Sequence, residues 1–269
     1  MTELALRPRS ATEIIDLAVR LLRRHFGALF TIALVGLVPN LIVQIVLVST
    51  ILADPVAAAD RFGSVAALTA PIGLVFGSLM IGSLLACGDA ALRDGTADVG
   101  LAIRRGAARI GTVIGVSLLA GLATGVGFVL LVVPGVYVAL RLATALPAAV
   151  VEGDGVFDAL RRAWARSDGH VLHTLKTVLL LMLLYVVFFL VLGVAGAVVG
   201  AVVGGTVGAA GGVGAARTTL VVSQVLTTLL AAAVYPLLTN TLLLLAYDLR
   251  VRREGYDVEA MANALGAAR

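Results

Sequence analysis

A single cysteine, Cys87, and the lack of acidic side chains in every long apolar run mark this 269-residue chain. One cysteine excludes an intrachain disulfide and a cysteine-built zinc site. Charged residues make up only 13%, roughly half the share of an average soluble domain. Hydrophobic residues reach 60%, and a soluble fold of this length would have too little polar side chain to cover such a core. Hydrolysis of a phosphodiester needs clustered metal-binding carboxylates or an equivalent acid–base set, and the apolar runs offer none. No nucleophile elbow and no Walker loop occurs. The glycine-rich stretches lie among apolar residues, which argues against a phosphate cradle. His25, His170 and His173 all flank apolar runs. His170 and His173 stand close to each other and to Asp168, but without a third placed ligand they read as interfacial anchors and not as a metal site. The expectation is a chain that is not an enzyme, with no cofactor and no metal.

What the chain has in quantity is long apolar runs. Six are read as membrane spans: Leu29–Leu52, Ala66–Cys87, Ile110–Val132, Val136–Val151, Val178–Val199 and Leu220–Ala246. Most reach the ~20 residues a helix needs to cross a bilayer core. The fourth is short, and Pro134-Gly135 before it reads as a tight outer turn that joins the third and fourth spans in a close hairpin. The basic residues alternate between the two sides. Arg7, Arg9, Arg20, Arg23 and Arg24 precede the first run; Arg93, Arg104, Arg105 and Arg109 lie between the second and third. Arg161, Arg162, Arg166 and Lys176 lie between the fourth and fifth; Arg250, Arg252, Arg253 and Arg269 follow the sixth. The other side holds only Arg61 and Arg217, and Arg141 sits inside a run. This asymmetry is a strong positive-inside signature, so both termini are expected in the cytoplasm and the protein in the inner (plasma) membrane. The first run is longer than the ~7–15 residues of a signal-peptide core, and Glu13 and Asp16 precede it in a helical pattern, so no cleavable signal is expected. A pI near 9.7 would suit nucleic acid. Here the arginines cluster beside apolar runs, so the expected partners are anionic lipid headgroups, at about 1 kcal/mol per Lys or Arg, and not nucleic acid.

The fold expected is all-α and membrane-integral: six transmembrane helices as three hairpins, each preceded by an amphipathic interfacial helix on the cytoplasmic side. Residues 1–269 read as one membrane domain, with an N-terminal interfacial helix in 1–28, the spans over 29–246 and a cytoplasmic tail over 247–269. In the first amphipathic segment Ile14, Leu17, Ala18, Leu21, Leu22 and Phe26 fall at helical spacing, and Ser10 and Glu13 have the spacing of a capping box. Val99, Ala102, Ile103, Ala107 and Ile110 form the second stripe. Phe157, Leu160 and Trp164 form the third, with Asp154 as its expected N-cap. The three share a pattern: Ala18-Val19-Arg20 then His25; Ala102-Ile103-Arg104 then Arg109; Ala159-Leu160-Arg161 then Arg166. Three copies of one unit imply an internal repeat, with apolar faces turned to the bilayer and basic faces to phosphates.

Three stretches carry a family resemblance. The start contains Leu6-Arg7-Pro8-Arg9-Ser10, Glu13-Ile14-Ile15-Asp16 and Arg23-Arg24-His25-Phe26. The middle contains Pro134-Gly135-Val136-Tyr137-Val138-Ala139-Leu140-Arg141. The end reads Tyr247-Asp248-Leu249-Arg250-Val251-Arg252-Arg253-Glu254-Gly255-Tyr256-Asp257. The chain resembles the membrane domain found fused to some glycerophosphoryl diester phosphodiesterases, and more loosely the YciC-type multipass proteins. The resemblance implies a six-helix membrane module. The catalytic part of that family is a separate barrel that starts with His-Arg-Gly, which does not occur here, so its activity is not carried over.

Several residues are candidates for a role. Arg141, five positions into the fourth span, is expected roughly 8 Å below the outer end at 1.5 Å per residue. It reads as a ligand for a lipid phosphate or anionic solute, or as a snorkelling side chain, and no acidic residue lies at its depth in the spans. Arg20, Arg104, Arg161 and Arg166 are candidates for the same anion-binding role on the cytoplasmic side. Asn40 and Gln44 share a helix face after Pro39, and Asn240 follows Pro236 at the same spacing, with Gln224 in the same run. These amides either line a polar cavity, as in transporters, or pair between helices. Gly196, Gly200, Gly204, Gly208 and Gly212 recur at every fourth position. They make a stripe for close helix approach or a homo-oligomer contact if helical, and an outer loop if not. Asp248 with Arg250 and Arg252 reads as a solvated charge cluster. The function expected is a lipid-contacting or membrane-organising scaffold. The alternative is a transporter or lipid- or anion-handling channel that uses Arg141 and the kinked polar helices.

Overall fold

A computed structural model describes residues 8–53, 55–208 and 213–254. Among these residues the chain is helical and has no strand. The helices are α1 (Ala11–Arg24), α2 (Phe26–Ala53), α3 (Pro55–Arg93), α4 (Val99–Ala108), α5 (Ile110–Leu130), α6 (Val132–Leu142), a one-turn α7 (Ala145–Pro147) running into a π-helical turn (Ala148–Glu152), α8 (Val156–Arg166), α9 (Val171–Gly208) and α10 (Val213–Glu254). Among the described residues, six segments are long and apolar enough to cross a membrane: Phe26–Leu47, Thr69–Arg93, Ile110–Leu130, Val132–Glu152, Val171–Leu190 and Arg217–Arg253.

The long helices pack where side chains are small. Gly36 of α2 lies directly under the Met80 side chain of α3, and Gly106 of α4 under Ser83 of α3. A core of Leu29, Ile32 and Ala33 with Met80, Leu84, Cys87, Ala102 and Ala232 ties α2, α3, α4 and α10 together. A second core sets Ile14, Leu17 and Ala18 of α1 against Leu181 of α9 and Leu237, Leu244, Leu245 and Leu249 of α10. A third joins Val116 of α5 to Ala145, Ala148 and Ala149 and to Ala159 and Ala163 of α8.

Local chemistry explains the short helices. The Ser10–Glu13 capping box forms in both directions: the Ser10 N–H donates to Glu13 Oε2 at 2.8 Å, and the Glu13 N–H to Ser10 Oγ at 3.3 Å. This satisfies two donors that a helix start otherwise leaves orphaned. Asp98 caps α4 by accepting from the Leu101 N–H at 2.7 Å. The N-cap of α8 is Gly155 with no side-chain cap; Asp154 does not fill that role and instead pairs with Arg162 at 3.2 Å.

Two further expectations shift. The α5–α6 turn is Leu131, the one extended residue between the helices, not Pro134-Gly135. Proline fits the first turn of a helix because N–H groups there have no intrahelical partner, so Pro134 sits inside α6. The fourth apolar segment therefore starts four residues earlier than expected, at Val132, and is broken near Pro147 by the π-helical turn. The glycine-rich stretch is helical through Gly208. Residues 209–212, Gly212 among them, lie outside the described residues, as do the surroundings of Gly200, Gly204 and Gly208. At Gly196 no described atom stands within 4 Å of where a Cβ would be.

Candidate functional site

The three repeated segments place their shared residues alike. Ala18, Ala102 and Ala159 are all buried, while Arg20, Arg104 and Arg161 two positions on are all exposed. His25 and Arg109 cap the ends of α1 and α4, and Arg166 ends α8. The exposed arginines are lightly held. Arg20 pairs with Asp16 at 3.1 Å and Arg161 with Asp158 at 3.0 Å, both between exposed groups. Arg23, Arg24, Arg104 and Arg105 are exposed and make no hydrogen bond or ion pair among the described residues. Large apolar side chains three or four positions away are exposed as well: Phe26, which opens α2, three after Arg23, and Leu101 of α4, three and four before Arg104 and Arg105. On α8, Phe157 (77% exposed) stands one turn before Arg161 (83%).

Arg166 behaves otherwise. It is buried and grips Glu152 with two nitrogens, at 2.5 and 2.9 Å. Arg162 joins the same carboxylate at 2.8 Å. Burial raises the Asp154 carboxyl above its ordinary value, with Arg162 pulling the other way. Gly153, at φ +78°, carries the chain past Arg109, whose Nη1 donates to the Gly153 carbonyl at 2.9 Å. A side chain there would be strained and would strike the guanidinium. At the end of α1, burial together with Arg24 lowers the His25 pKa.

Arg141 is enclosed. It is the tenth residue of α6, so about 15 Å from the Leu131 turn at 1.5 Å per residue, not the 8 Å expected. Its Nε donates to the Tyr137 hydroxyl at 2.9 Å and its Nη1 to the Trp164 carbonyl at 3.0 Å. Asp168 lies 3.2 Å from Nη1. The guanidinium also stands 5.2 Å from the Tyr137 ring centroid and 4.7 Å from that of Trp164. These two rings meet edge to face at 6.1 Å. The Asp168 carbonyl accepts from Arg253 of α10 at 3.1 Å. The ion pair that the spans alone did not reveal comes from the turn after α8.

The amides divide. Gln224 Nε2 donates to Gln44 Oε1 at 2.6 Å, joining α10 to α2. Asn40 is apart from them, with its Oδ1 facing Gly73. Asn240 is fully buried beside Gly88 of α3, and neither of its amide atoms has a hydrogen-bond partner.

Sequence reasoning missed the Asp248 hub. Expected to be solvated, Asp248 is buried. It accepts from the Arg9 N–H at 2.6 Å and from Arg252 Nε at 2.7 Å, and lies 2.9 Å from His173 Nε2. Arg252 Nη2 also reaches the Arg9 carbonyl at 2.7 Å. Alongside, Asp89 accepts from Arg93 at 2.7 Å and from the Tyr247 hydroxyl. The i,i+4 spacings Asp89–Arg93 and Asp248–Arg252 were the available signals; their long-range partners left none. His170 turns its ring to the Asp168 carbonyl at 3.1 Å. Among the described residues no group of three or more His, Cys, Asp or Glu is placed to hold a metal.

Six long apolar helices, and charges gathered about short helices at their ends, define a multipass α-helical membrane protein. Residues 118–254, just over half of the chain, match the family described as the membrane domain of glycerophosphoryl diester phosphodiesterase, and the chain belongs to that family. The match is to the membrane domain and not to a catalytic domain. Comparison with curated proteins and with solved structures finds no match.

Proposed function

We propose that the chain is a single membrane module that grips anionic phospholipid headgroups along one face and organises lipid or partner proteins there, without catalysis of its own. The architecture in this proposal is three helix hairpins, α2–α3, α5–α6 and α9–α10, led by α1, α4 and α8. These three short helices lie in the interface. By the positive-inside rule that interface is cytoplasmic, both termini are on it, and the membrane is the inner (plasma) membrane. The single observation that carries the proposal is the pairing of an exposed large apolar side chain with an exposed arginine one turn away on α4 and α8, Leu101 with Arg104 and Arg105 and Phe157 with Arg161, and across the α1–α2 junction, Phe26 with Arg23 three positions before it. In water such an apolar surface is a cost; at a headgroup boundary the ring enters hydrocarbon while the guanidinium meets phosphate. That no described atom stands within 4 Å of where a Gly196 Cβ would be supports self-association through the stripe that Gly196 shares with Gly200, Gly204 and Gly208.

Transport draws less support. Gln44 and Gln224 are spent on each other, and Arg141 is held by protein groups. Among the described residues, Asn240 keeps a buried unpartnered amide of the kind a polar pathway would use.

Native mass spectrometry of the full chain tests the proposal. Purified from membranes, it should retain anionic phospholipid in preference to zwitterionic lipid. The variant Arg23→Gln/Arg24→Gln/Arg104→Gln/Arg105→Gln should lose most of that preference, since each arginine near an anionic surface contributes about 1 kcal/mol, roughly fivefold in binding. Equal retention of both lipid classes by the unaltered protein would end the proposal.

A further inference from the structure

The α5–α6 hairpin ends in a tip with almost no polar group. From Gly125 to Leu140 only Tyr137 carries a polar side-chain atom. Phe128 through Val133 are six consecutive large apolar residues, and Val129, Leu131 and Val133 are 87%, 70% and 79% exposed. The other two far-end connections have a different composition: Asp54 between α2 and α3 with Asp60 and Arg61 in the first turns of α3, and Thr206, Arg217, Thr218 and Thr219 about the α9–α10 connection. Those residues suit water. A turn that emerged into water with Phe128–Val133 at its apex would forgo roughly 1.5–3 kcal/mol for each large side chain it left unburied.

A turn inside hydrocarbon has the opposite requirement, because each unsatisfied backbone group there costs several kcal/mol. This turn nearly meets it. Leu131 is its one non-helical residue. The Leu131 N–H donates to the Gly127 carbonyl at 3.0 Å, and its carbonyl accepts from the Gly135 N–H at 3.3 Å. Pro134 brings no N–H that needs a partner. Gly127 and Gly135 let the two backbones touch beneath the apex.

The depth of insertion follows from α8. Arg141, about 15 Å from the apex, meets Asp168 at 3.2 Å, and its carbonyl accepts from Ser167 Oγ at 3.2 Å. At the other end of α8, Val156 packs on Gly115 of α5, fifteen residues and so about 22 Å from Leu130. Thus α8 crosses the hairpin between those two levels. Its outward charges, Asp158 and Arg161, are exposed and belong in headgroups or water. A hairpin with only about 15–22 Å beyond them cannot cross a hydrocarbon core of ~30 Å.

We infer that α5–α6 is a re-entrant hairpin: it enters the bilayer from the α8 face, turns near the midplane, and packs its apolar tip among the acyl chains of that leaflet. This rests on the proposed interfacial placement of α8. Four helices, α2, α3, α9 and α10, then cross completely. The number of crossings stays even, so both termini remain on one side. The tip is an interaction surface for acyl chains in one leaflet only.

Single cysteines placed in a Cys87→Ala background test this in membrane vesicles with a membrane-impermeant maleimide. Ala165→Cys on α8 should react from the basic face and Thr218→Cys from the opposite face. Leu131→Cys should react from neither, at least roughly tenfold more slowly than Thr218→Cys, because the reactive thiolate does not form in hydrocarbon. A nitroxide on Leu131→Cys should be relaxed strongly by oxygen and weakly by a water-soluble nickel chelate. Reaction of Leu131→Cys from the Thr218 face would overturn the re-entrant hairpin and leave lipid gripping by the arginines intact. A Leu131 nitroxide reached by neither relaxant would mean a protein-covered tip and would overturn it too. An unreactive Ala165→Cys would remove the interfacial placement of α8, and the hairpin inference with it. The readout does not depend on lipid charge, so indifference to anionic lipid sinks the proposed function alone.

Discussion

Arg141 in α6 and Asn240 in α10 are both polar side chains set in apolar helices, and both are buried. Arg141 reaches the Tyr137 hydroxyl, the Trp164 carbonyl, the Asp168 carboxylate and two aromatic faces. Asn240 reaches no partner for either amide atom. The difference reflects the scale of the two penalties. An unpaired charge away from water costs several kcal/mol, so a helix that carries Arg141 must bring partners to it. An unpaired amide costs about 1–3 kcal/mol, which tight packing can offset. At Asn240 that packing comes from Gly88, whose lack of a side chain leaves the amide its space. The charge thus organises α6 and α8 around itself, and the amide is accommodated by what a neighbour lacks.

Breaking the charged half should have the largest effect. Arg141→Met removes the guanidinium that the Trp164 carbonyl, the Tyr137 hydroxyl and the Asp168 carboxylate share, and about 3 kcal/mol of stability should be lost. Thermal unfolding in lipid nanodiscs reads this as a clear drop in midpoint. Arg141→Lys should recover only part, because a point charge cannot span the Trp164 carbonyl and Asp168 while lying between two rings. Next comes Gly88→Ala, expected to cost about 2 kcal/mol, since a methyl group there collides with the Asn240 amide in a packed site. Adding Asn240→Ala should restore much of the loss, and the coupling between the two changes is the diagnostic. Strict additivity would mean that Gly88 does not hold space for Asn240.

Asp168→Asn should cost less than about 1 kcal/mol, because its carboxylate is 58% exposed and screened. Asn240→Leu is the sharpest probe of the polar half. Removal of two unpartnered atoms and gain of apolar contact should leave stability within about 1 kcal/mol of the original. A larger loss would show that the amide holds a bound water or solute. His25 supplies the smallest effect. Its folded pKa lies below the ordinary value of 6.5, so the unfolded chain binds more protons between the two values. Its contribution to stability is therefore present above pH 6.5 and is lost as the pH falls through the folded value. Relative to the unaltered protein, His25→Gln should flatten the melting temperature between pH 7 and 5, and an unchanged slope would count against His25 as its source.

Some structure was written locally. The Ser10–Glu13 capping box, the six apolar segments and the buried Ala18, Ala102 and Ala159 each follow from residues within a few positions of one another, where helical geometry alone sets what meets what. The exposed Arg20, Arg104 and Arg161 follow from the same spacing. Other features were hidden for an equally physical reason. Asp168 meets Arg141 across α8, Arg9 meets Asp248 across nearly the whole chain, and Glu152 binds Arg166 through the π-helical turn. Asp154 has the composition of an N-cap and the wrong position for one, since Gly155 takes the extended backbone. The turn at Leu131 escaped because Pro134-Gly135 has a turn-like composition that also suits the first turn of a helix.

Hydrophobic runs and the spacing of arginines by themselves determine that this chain is a helical membrane protein, because transfer of apolar side chains to lipid is additive along the chain. Which charges are spent inside the protein and which face outward was decided only by the tertiary structure. Ion pairing depends on distance in space, and the same arginine side chain is buried and neutralised at Arg166 and exposed at Arg161, five residues away.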